Sequence, residues 1–436
     1  MAETDTDAAD QFDARITPEK LDETAPRLWQ RYSRLPRNVF AISFVSLLND
    51  ASSEIIYPFL PLFLALTLGA SPAVIGMIEG AAESVSSLLK LFAGYFSDRR
   101  GRRKGLVVFG YALASFARPL LAFATNWHQV LGIRLADRIG KGIRSAPRDA
   151  MIADAVSVEQ RGLAFGFHRA MDHAGAVIGP LLGLAILLFV AADSDAPTAG
   201  DYKKVFLLAS IPAIAAVLVA AFFVREKKRE ERVDAVSLEP PRLSLRGFTG
   251  NFKIFLALVA LFTLSNSSDA FLLLRARTSG ISTAMIPLLW AALHVSKVLS
   301  SLVGGGLSNR LGRRTLIASG WLLYAAVYAG FAFVSSVGVA WALFLVYGIY
   351  FGLAEGAEKA LVADLVRADQ RGTAYGLYNL AFGITVLPAS VLMGALWQWY
   401  GAGVAFIVSA GIGALAAVLL LAFVRPQATA PQLATA

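Results

Sequence analysis

Between Leu131 and Ala153 an otherwise apolar stretch carries Arg134, Asp137, Arg138, Lys141, Arg144, Arg148 and Asp149. The stretch is long enough to cross a hydrocarbon core of about 30 Å. A charge at the centre of a membrane helix costs roughly 2.5 to 3.5 kcal/mol, so these charges turned to lipid would cost on the order of 17 to 25 kcal/mol. At about 100° per residue all of them fall within an arc of roughly 140°. Leu135, Ala136, Ile139, Ile143, Ala146 and Ala150 cover the opposite side. Guanidinium and ammonium groups on such a face bind anions and carboxylates, and charges persist at that depth only when paired or beside water. The face therefore marks a pocket or path for polar cargo.

The charges sort by depth if this helix runs from outside to inside. Arg134, Arg138, Lys141 and Arg144 lie in the outer and middle parts, with only Asp137 beside them, and are candidates for holding a substrate. Arg148 and Asp149 sit toward the cytoplasm and suit a gate or a structural pair. The second apolar span brings Glu79, Glu83 and Lys90 into an arc of about 40°. Its carboxylates answer part of the positive surplus, a Glu83–Arg138 pair being one such arrangement. The charge left over favours an anionic or carboxylate-bearing substrate held by guanidinium forks.

Carboxylates elsewhere in apolar spans suggest proton movement, because a desolvated carboxylate can load and release a proton in each cycle. Asp50 and Glu54 lie within Asn49, Asp50, Ser52, Ser53 and Glu54 of the first span, and Asp269 closes the echo Ser265, Asn266, Ser267, Ser268, Asp269 in the seventh. With Glu79 and Glu83 these are the proton-coupling candidates, local salt bridges being the alternative. Asn266, His294 and Lys297 join the substrate candidates, and Glu355, Glu358 and Lys359 of the tenth span suit a cytoplasmic gate that breaks on opening. His168, Arg169, Asp172 and His173 share the fifth span, but histidines five residues apart point about 140° from each other and do not readily share a metal. Neither a metal nor a cofactor is expected.

The elements that position these residues follow from composition. The chain has 436 residues, 56% of them hydrophobic, and a mean hydropathy of +0.59, too apolar for a soluble protein of this length. Apolar spans recur near 39–68, 72–96, 105–125, 129–153, 163–192 and 203–224, then near 252–274, 284–307, 315–335, 338–363, 373–400 and 402–424. The expected fold is all-α and polytopic, with twelve transmembrane helices. Its parts would be a cytoplasmic tail over 1–37, a six-helix half over 38–224, a solvated linker over 225–250 with Pro240 and Pro241, a second half over 251–424 and a tail over 425–436. The first 37 residues lack the apolar core of a signal peptide. No cysteine is present, which removes disulfides, thiolate metal sites and cysteine nucleophiles. The net charge of +9 is concentrated in alternate loops, including Arg99 to Lys104 and Arg225 to Arg246. By the positive-inside rule those loops and both termini are cytoplasmic, in the inner membrane, and nucleic acid is not an expected partner.

The chain also repeats itself at a spacing of about 210 residues. Gly94-Tyr-Phe-Ser-Asp-Arg-Arg-Gly-Arg-Arg-Lys104 matches Gly305-Gly-Leu-Ser-Asn-Arg-Leu-Gly-Arg-Arg-Thr315, and Asp154, Gln160, Arg161 and Gly162 match Asp364, Gln370, Arg371 and Gly372. The first segment resembles the loop signature G-x-x-x-D-R-x-G-R-R-K of the major facilitator superfamily, with Gly94, Asp98, Arg99, Gly101, Arg102, Arg103 and Lys104 at its key positions. In the second copy Asn309 and Thr315 replace the aspartate and the lysine.

Arg138-Ile-Gly-Lys-Gly142 resembles the R-x-x-x-G element of proton-driven exporters, although Lys141 stands where that element is uncharged. Gly175-Ala-Val-Ile-Gly179-Pro180-Leu-Leu-Gly183 resembles the G-x-x-x-G-P-x-x-G element of antiporters, and small residues at that spacing also serve plain helix packing. The resemblance implies two six-helix halves around a central cavity, and a charge lock in which Asp98 and Arg102 act with the inner end of a neighbouring helix, Arg148 being a partner. It also implies a monomeric secondary transporter that exchanges protons for a small organic solute in the export direction. A symporter importing an anionic nutrient or chelate keeps the same fold. A membrane-embedded enzyme lacks a nucleophile, a metal cluster and a nucleotide loop.

Overall fold

Apolar runs of membrane length must satisfy their own backbone hydrogen bonds, and helices do so within each segment. The computed structural model describes residues 35–100, 103–157, 160–226, 244–367 and 370–425, apart from a few side chains at the ends of two helices. Most of the expected tails and linker lies outside them. Among the described residues twelve membrane helices follow in order. The first half holds α1 (Arg37–Thr67), α2 (Pro72–Arg100), α3 (Lys104–Phe123), α4 (Trp127–Ala155), α5 (Arg161–Val190) and α6 (Ala199–Phe222). The second holds α7 (Gly250–Thr278), α8 (Ile286–Leu311), α9 (Arg313–Phe333), α10 (Val337–Asp364), α11 (Arg371–Tyr400) and α12 (Ala402–Phe423). Ten of them are long and apolar enough to cross a membrane on composition alone. The exceptions are α2 and α4, the helices loaded with charge.

Packing explains how those two are tolerated. α2 and α4 lie against each other, and α2 also runs along α11 of the other half, so both polar faces turn inward. The glycine stripe of α5 packs on α1, where a Cβ at Gly175 or Gly179 would come within 2.6 Å of the Leu47 or Ala51 carbonyl oxygen. The stripe thus joins two helices of one half. Tight packing on α1 accounts for the spacing of that element.

Two helices depart from a regular α-helix for reasons visible in their residues. Pro58 and Pro61 interrupt α1 after Ile56, and its last turn widens to a π-helix over Phe63–Thr67. α7 stops at Ser265 and resumes at Ala270, leaving Asn266 to Asp269 unwound, whereas the apolar run predicts one continuous helix over 252–274. Short polar side chains compete for backbone hydrogen bonds. Here Tyr324 Oη donates to the Ser265 carbonyl at 2.5 Å and the Ser268 amide donates to Ser390 Oγ at 3.2 Å.

The sequence repeat has a structural counterpart at the helix ends. Arg103 pairs with Asp154 in the first half and Arg313 with Asp364 in the second, so each matching aspartate receives an arginine from the preceding signature segment. The expected lock through Asp98 and Arg102 lies outside the described side chains. Arg148 holds Asp149 at 2.9 Å and donates to Ser46 Oγ at 3.1 Å.

Candidate functional site

Call the near side the one on which α1 begins and α12 ends. On the far side the halves are in close contact. A Cβ on Gly76 would strike the Ser390 carbonyl oxygen, and one on Gly80 would sit 2.9 Å from Ser390 Cβ and 3.0 Å from Leu387 Cα. Ser84 Oγ donates to the Gly383 carbonyl at 2.5 Å. A second seam joins α1 to α8, where Trp290 Nε1 donates to Glu54 at 2.7 Å and His294 Nε2 lies 3.9 Å from the same carboxylate. Toward the near side the halves part, and the side chains of Glu355 and Lys359 are about half exposed.

Between the halves lies a cavity of about 550 Å³, a size typical of small-molecule sites. The first half supplies a charged wall of Glu79, Glu83, Lys90, Arg138 and Lys141. The second supplies the unwound segment of α7 with Lys297 and Glu358, backed by aromatic rings that include Phe262, Tyr347, Tyr350 and Tyr378. Asp269 accepts from Tyr347 Oη at 2.8 Å, and Asn266 Nδ2 donates to Tyr350 Oη at 3.2 Å. The tyrosines thus hold open the break that brings backbone and polar side chains to the cavity.

Of the residues expected to bind substrate, Arg138, Lys141, Lys297 and Asn266 line this space. Arg134 and Arg144 do not; both are buried inside the first half. Arg134 forms a fork with Glu79, Nε to Oε1 at 3.0 Å and Nη2 to Oε2 at 2.7 Å. Arg144 stacks over Tyr111 with 4.5 Å from its central carbon to the ring centre. His294 belongs to the α1–α8 seam. Among the proton-coupling candidates Glu79, Glu83 and Asp269 face the cavity. Glu54 lies in the seam, and Asp50 accepts from Asn49 Nδ2 at 2.9 Å near the α1–α5 contact. Of the gate candidates, Glu355, Glu358 and Lys359 all reach the cavity. Glu355 and Lys359 pair with each other at 2.8 Å along one helix, and Glu358 bonds Trp321 and Tyr378 of its own half.

Pairing removes most of the charge. Lys297 lies 3.6 Å from Asp269 and 3.7 Å above the Phe351 ring, and Arg138 lies 3.7 Å from Glu83. Among the described residues, no carboxylate lies within 4.0 Å of Lys90 or Lys141. Behind the wall, Arg118 donates to Asp137 and to both oxygens of Asn49, each at 3.0 Å, and is 4% exposed. Sequence reasoning passed over Arg118, although a lone arginine before a proline in an apolar run is a visible signal. It also passed over the aromatic wall, because rings in an apolar span resemble lipid-facing bulk.

This arrangement of two six-helix halves around a polar cavity has counterparts among known proteins. The model of the Major Facilitator Superfamily matches residues 42–387 and 254–436. The chain belongs to the major facilitator superfamily. An uncharacterized transporter of that type from Methanocaldococcus jannaschii is 34% identical over 370 residues, covering 84% of this chain and 89% of the relative. A homolog of the multi-drug resistance efflux pump PmrA from Lactococcus lactis is 27% identical over 312 residues, covering 69% of this chain and 73% of that protein. The crystal structure of the nucleoside transporter NupG superposes with a TM-score of 0.74 at 13% identity, covering 89% of this chain and all of that one. The protein is thus an integral membrane secondary transporter with the twelve-helix fold of the superfamily.

Proposed function

We propose that this superfamily member exports a small organic solute bearing an acidic group, in exchange for protons, by alternating access of the central cavity. The observation that carries the substrate class is the pair of lysines, Lys90 and Lys141, which among the described residues have no carboxylate within 4.0 Å, on a wall whose other charges are paired at that distance. An ammonium group beside a cavity in a low-dielectric interior attracts an anionic partner more strongly than it would in water. Support for export comes from the antiporter-like stripe on α5 and from the similarity to an efflux pump. Glu79, Glu83 and Asp269 at the cavity and Asp50 and Glu54 beside α5 and α8 are the carboxylates through which protons would be exchanged. The near side is assigned to the cytoplasm on the clustering of Lys and Arg in its loops, in the inner membrane, and the working unit is taken as a monomer. Arg148 and Asp149, at the near end of α4, stand with Glu355 and Lys359 where closure would bring the halves together.

The substrate class can be tested without knowing the cargo. A set of organic carboxylates and their amides is screened for thermal stabilisation of the purified protein, since ligand binding raises stability by mass action. The carboxylates are expected to bind better than the amides. Replacing both lysines, Lys90→Ala with Lys141→Ala, should weaken the carboxylates by about tenfold or more and leave the amides unchanged. Equal losses for both forms would contradict an acidic substrate.

A further inference from the structure

Once the pairs are set aside, one ionisable group among the described residues is left without an opposite charge on the wall facing the two lysines: Glu358. It is 8% exposed, lines the cavity from α10, accepts from Trp321 Nε1 at 2.8 Å and from Tyr378 Oη at 2.6 Å, and among the described residues has no cation within 4.0 Å. Its neighbour Lys359 is turned to Glu355 instead. Two neutral donors orient a carboxylate but do not cancel its charge. A buried charge without a counterion is expensive, and a carboxylate has lone pairs to spare beyond two hydrogen bonds.

Surrounding rings complete a cation site. Tyr350 lines the same side of the cavity, with its ring centre 5.8 Å from that of Phe262 and 4.7 Å from that of Phe351. Aromatic faces attract ammonium groups, most strongly where water is excluded. A precedent lies in the same cavity, where Lys297 is held between Asp269 and the Phe351 face. The Glu358 corner offers the same combination of a carboxylate and rings, with no lysine or arginine of the described residues within 4.0 Å of the carboxylate.

We infer that Glu358 and Tyr350 form the subsite for a cationic group of the cargo, so that the transported solute is a zwitterion, its amine toward Glu358 and its acidic group toward Lys90 and Lys141. This rests on the acidic-substrate reading and narrows it. The dipole would lie across the cavity, from the second half to the first, and a ligand touching both walls differs in fit between open and closed arrangements of the halves. Such a difference is what allows a ligand to shift a conformational equilibrium.

The test uses the full chain, purified, with aromatic and aliphatic free amino acids as probes, each beside its N-acetyl form, which is anionic, and its methyl ester, which is cationic. Thermal stabilisation at graded concentrations gives apparent affinities. At least one free amino acid is expected to bind about ten- to a hundredfold better than its N-acetyl form. In Glu358→Gln that preference should vanish, the N-acetyl form binding as before, which also shows that the variant is folded. Tyr378→Phe, which keeps the carboxylate, should retain the preference. Equal binding of free and acetylated forms, equal weakening of both in Glu358→Gln, or no binding by any free amino acid overturns the zwitterion. Methyl esters that bind as well as the free amino acids, with a preference lost in Glu358→Gln, would leave the cationic subsite standing and remove the acidic-substrate reading.

Discussion

Gly80→Leu is expected to hold the folded transporter open on the side that is sealed here. Gly80 sits where α2 meets α11, and a Cβ there would lie 2.9 Å from Ser390 Cβ and 3.0 Å from the Cα of Leu387, atoms that cannot swing aside. Overpacking a close contact costs about 1 to 3 kcal/mol. Under the proposed alternating access this contact would break when the far side opens, so the penalty would fall on one conformation and move the equilibrium by roughly 5- to 150-fold. The chain contains no cysteine, so a single one placed at Ser268, in the unwound part of α7 that lines the cavity, reports access without background. Labelling by a membrane-impermeant maleimide from the far side should accelerate by about tenfold or more in Gly80→Leu, with loss of transport. Gly110→Leu serves as the control. A Cβ at Gly110 would sit 2.6 Å from the Gly140 carbonyl oxygen, a contact inside one half. That variant should lower thermal stability and leave labelling unchanged. Labelling unaffected in Gly80→Leu would mean that the α2–α11 seam is not a moving contact.

Arg118→Ala is expected to cost about 3 to 5 kcal/mol of stability, the usual result of removing one member of a buried ion pair. Arg118 is the hub of a network hidden behind the cavity wall. It joins Asn49 of α1 to Asp137 of α4, and Asp137 in turn lies 3.8 Å from Arg134, which forks onto Glu79 of α2. Without Arg118, three hydrogen bonds go and an asparagine side chain is left buried with less to bind. Replacing both partners by apolar groups, Arg118→Met with Asp137→Leu, should recover much of the loss, because a missing pair is cheaper than half of one. Thermal unfolding in detergent measures both effects. A double variant no better than the single one would show that the network acts as a whole rather than through this pair.

Hydropathy alone outlines ten of the twelve helices, and the other two are legible by a different signal, charge confined to one face of a membrane-length stretch. The twofold organisation was legible too, in the matching segments after the second and eighth helices. The unwinding of α7 was not. Ser265 to Asp269 are compatible with a helix in a membrane, and what decides against one is the ring of tyrosines from α9 and α10, whose hydroxyls reach the segment only after folding. Ion pairing was legible as a need but not as a pattern. Arg134 and Arg138 are one turn apart on the same face, yet only Arg138 opens to the cavity, because Glu79 takes Arg134 as a fork while Glu83 leaves Arg138 at 3.7 Å. A difference of that size is set by how two helices are seated against each other. Glu358 shows the same limit: in sequence it reads as one member of a gate with Glu355 and Lys359, and in space Lys359 turns to Glu355 while Glu358 bonds Trp321 and Tyr378.

The charge balance of the cavity supports the proposed cargo, and the proposed proton exchange would run through carboxylates at the cavity, in the α1–α8 seam and beside the α1–α5 contact. The most direct measurement places the purified protein in liposomes with a pH-sensitive dye inside and an imposed proton gradient, and adds a stabilising ligand found in the screen to the side opposite the excess protons. Exchange predicts that ligand entering from that side dissipates the gradient, with protons leaving as solute moves in the opposite sense. Protons travelling in the same direction as the solute, or a gradient indifferent to it, would contradict proton-coupled export.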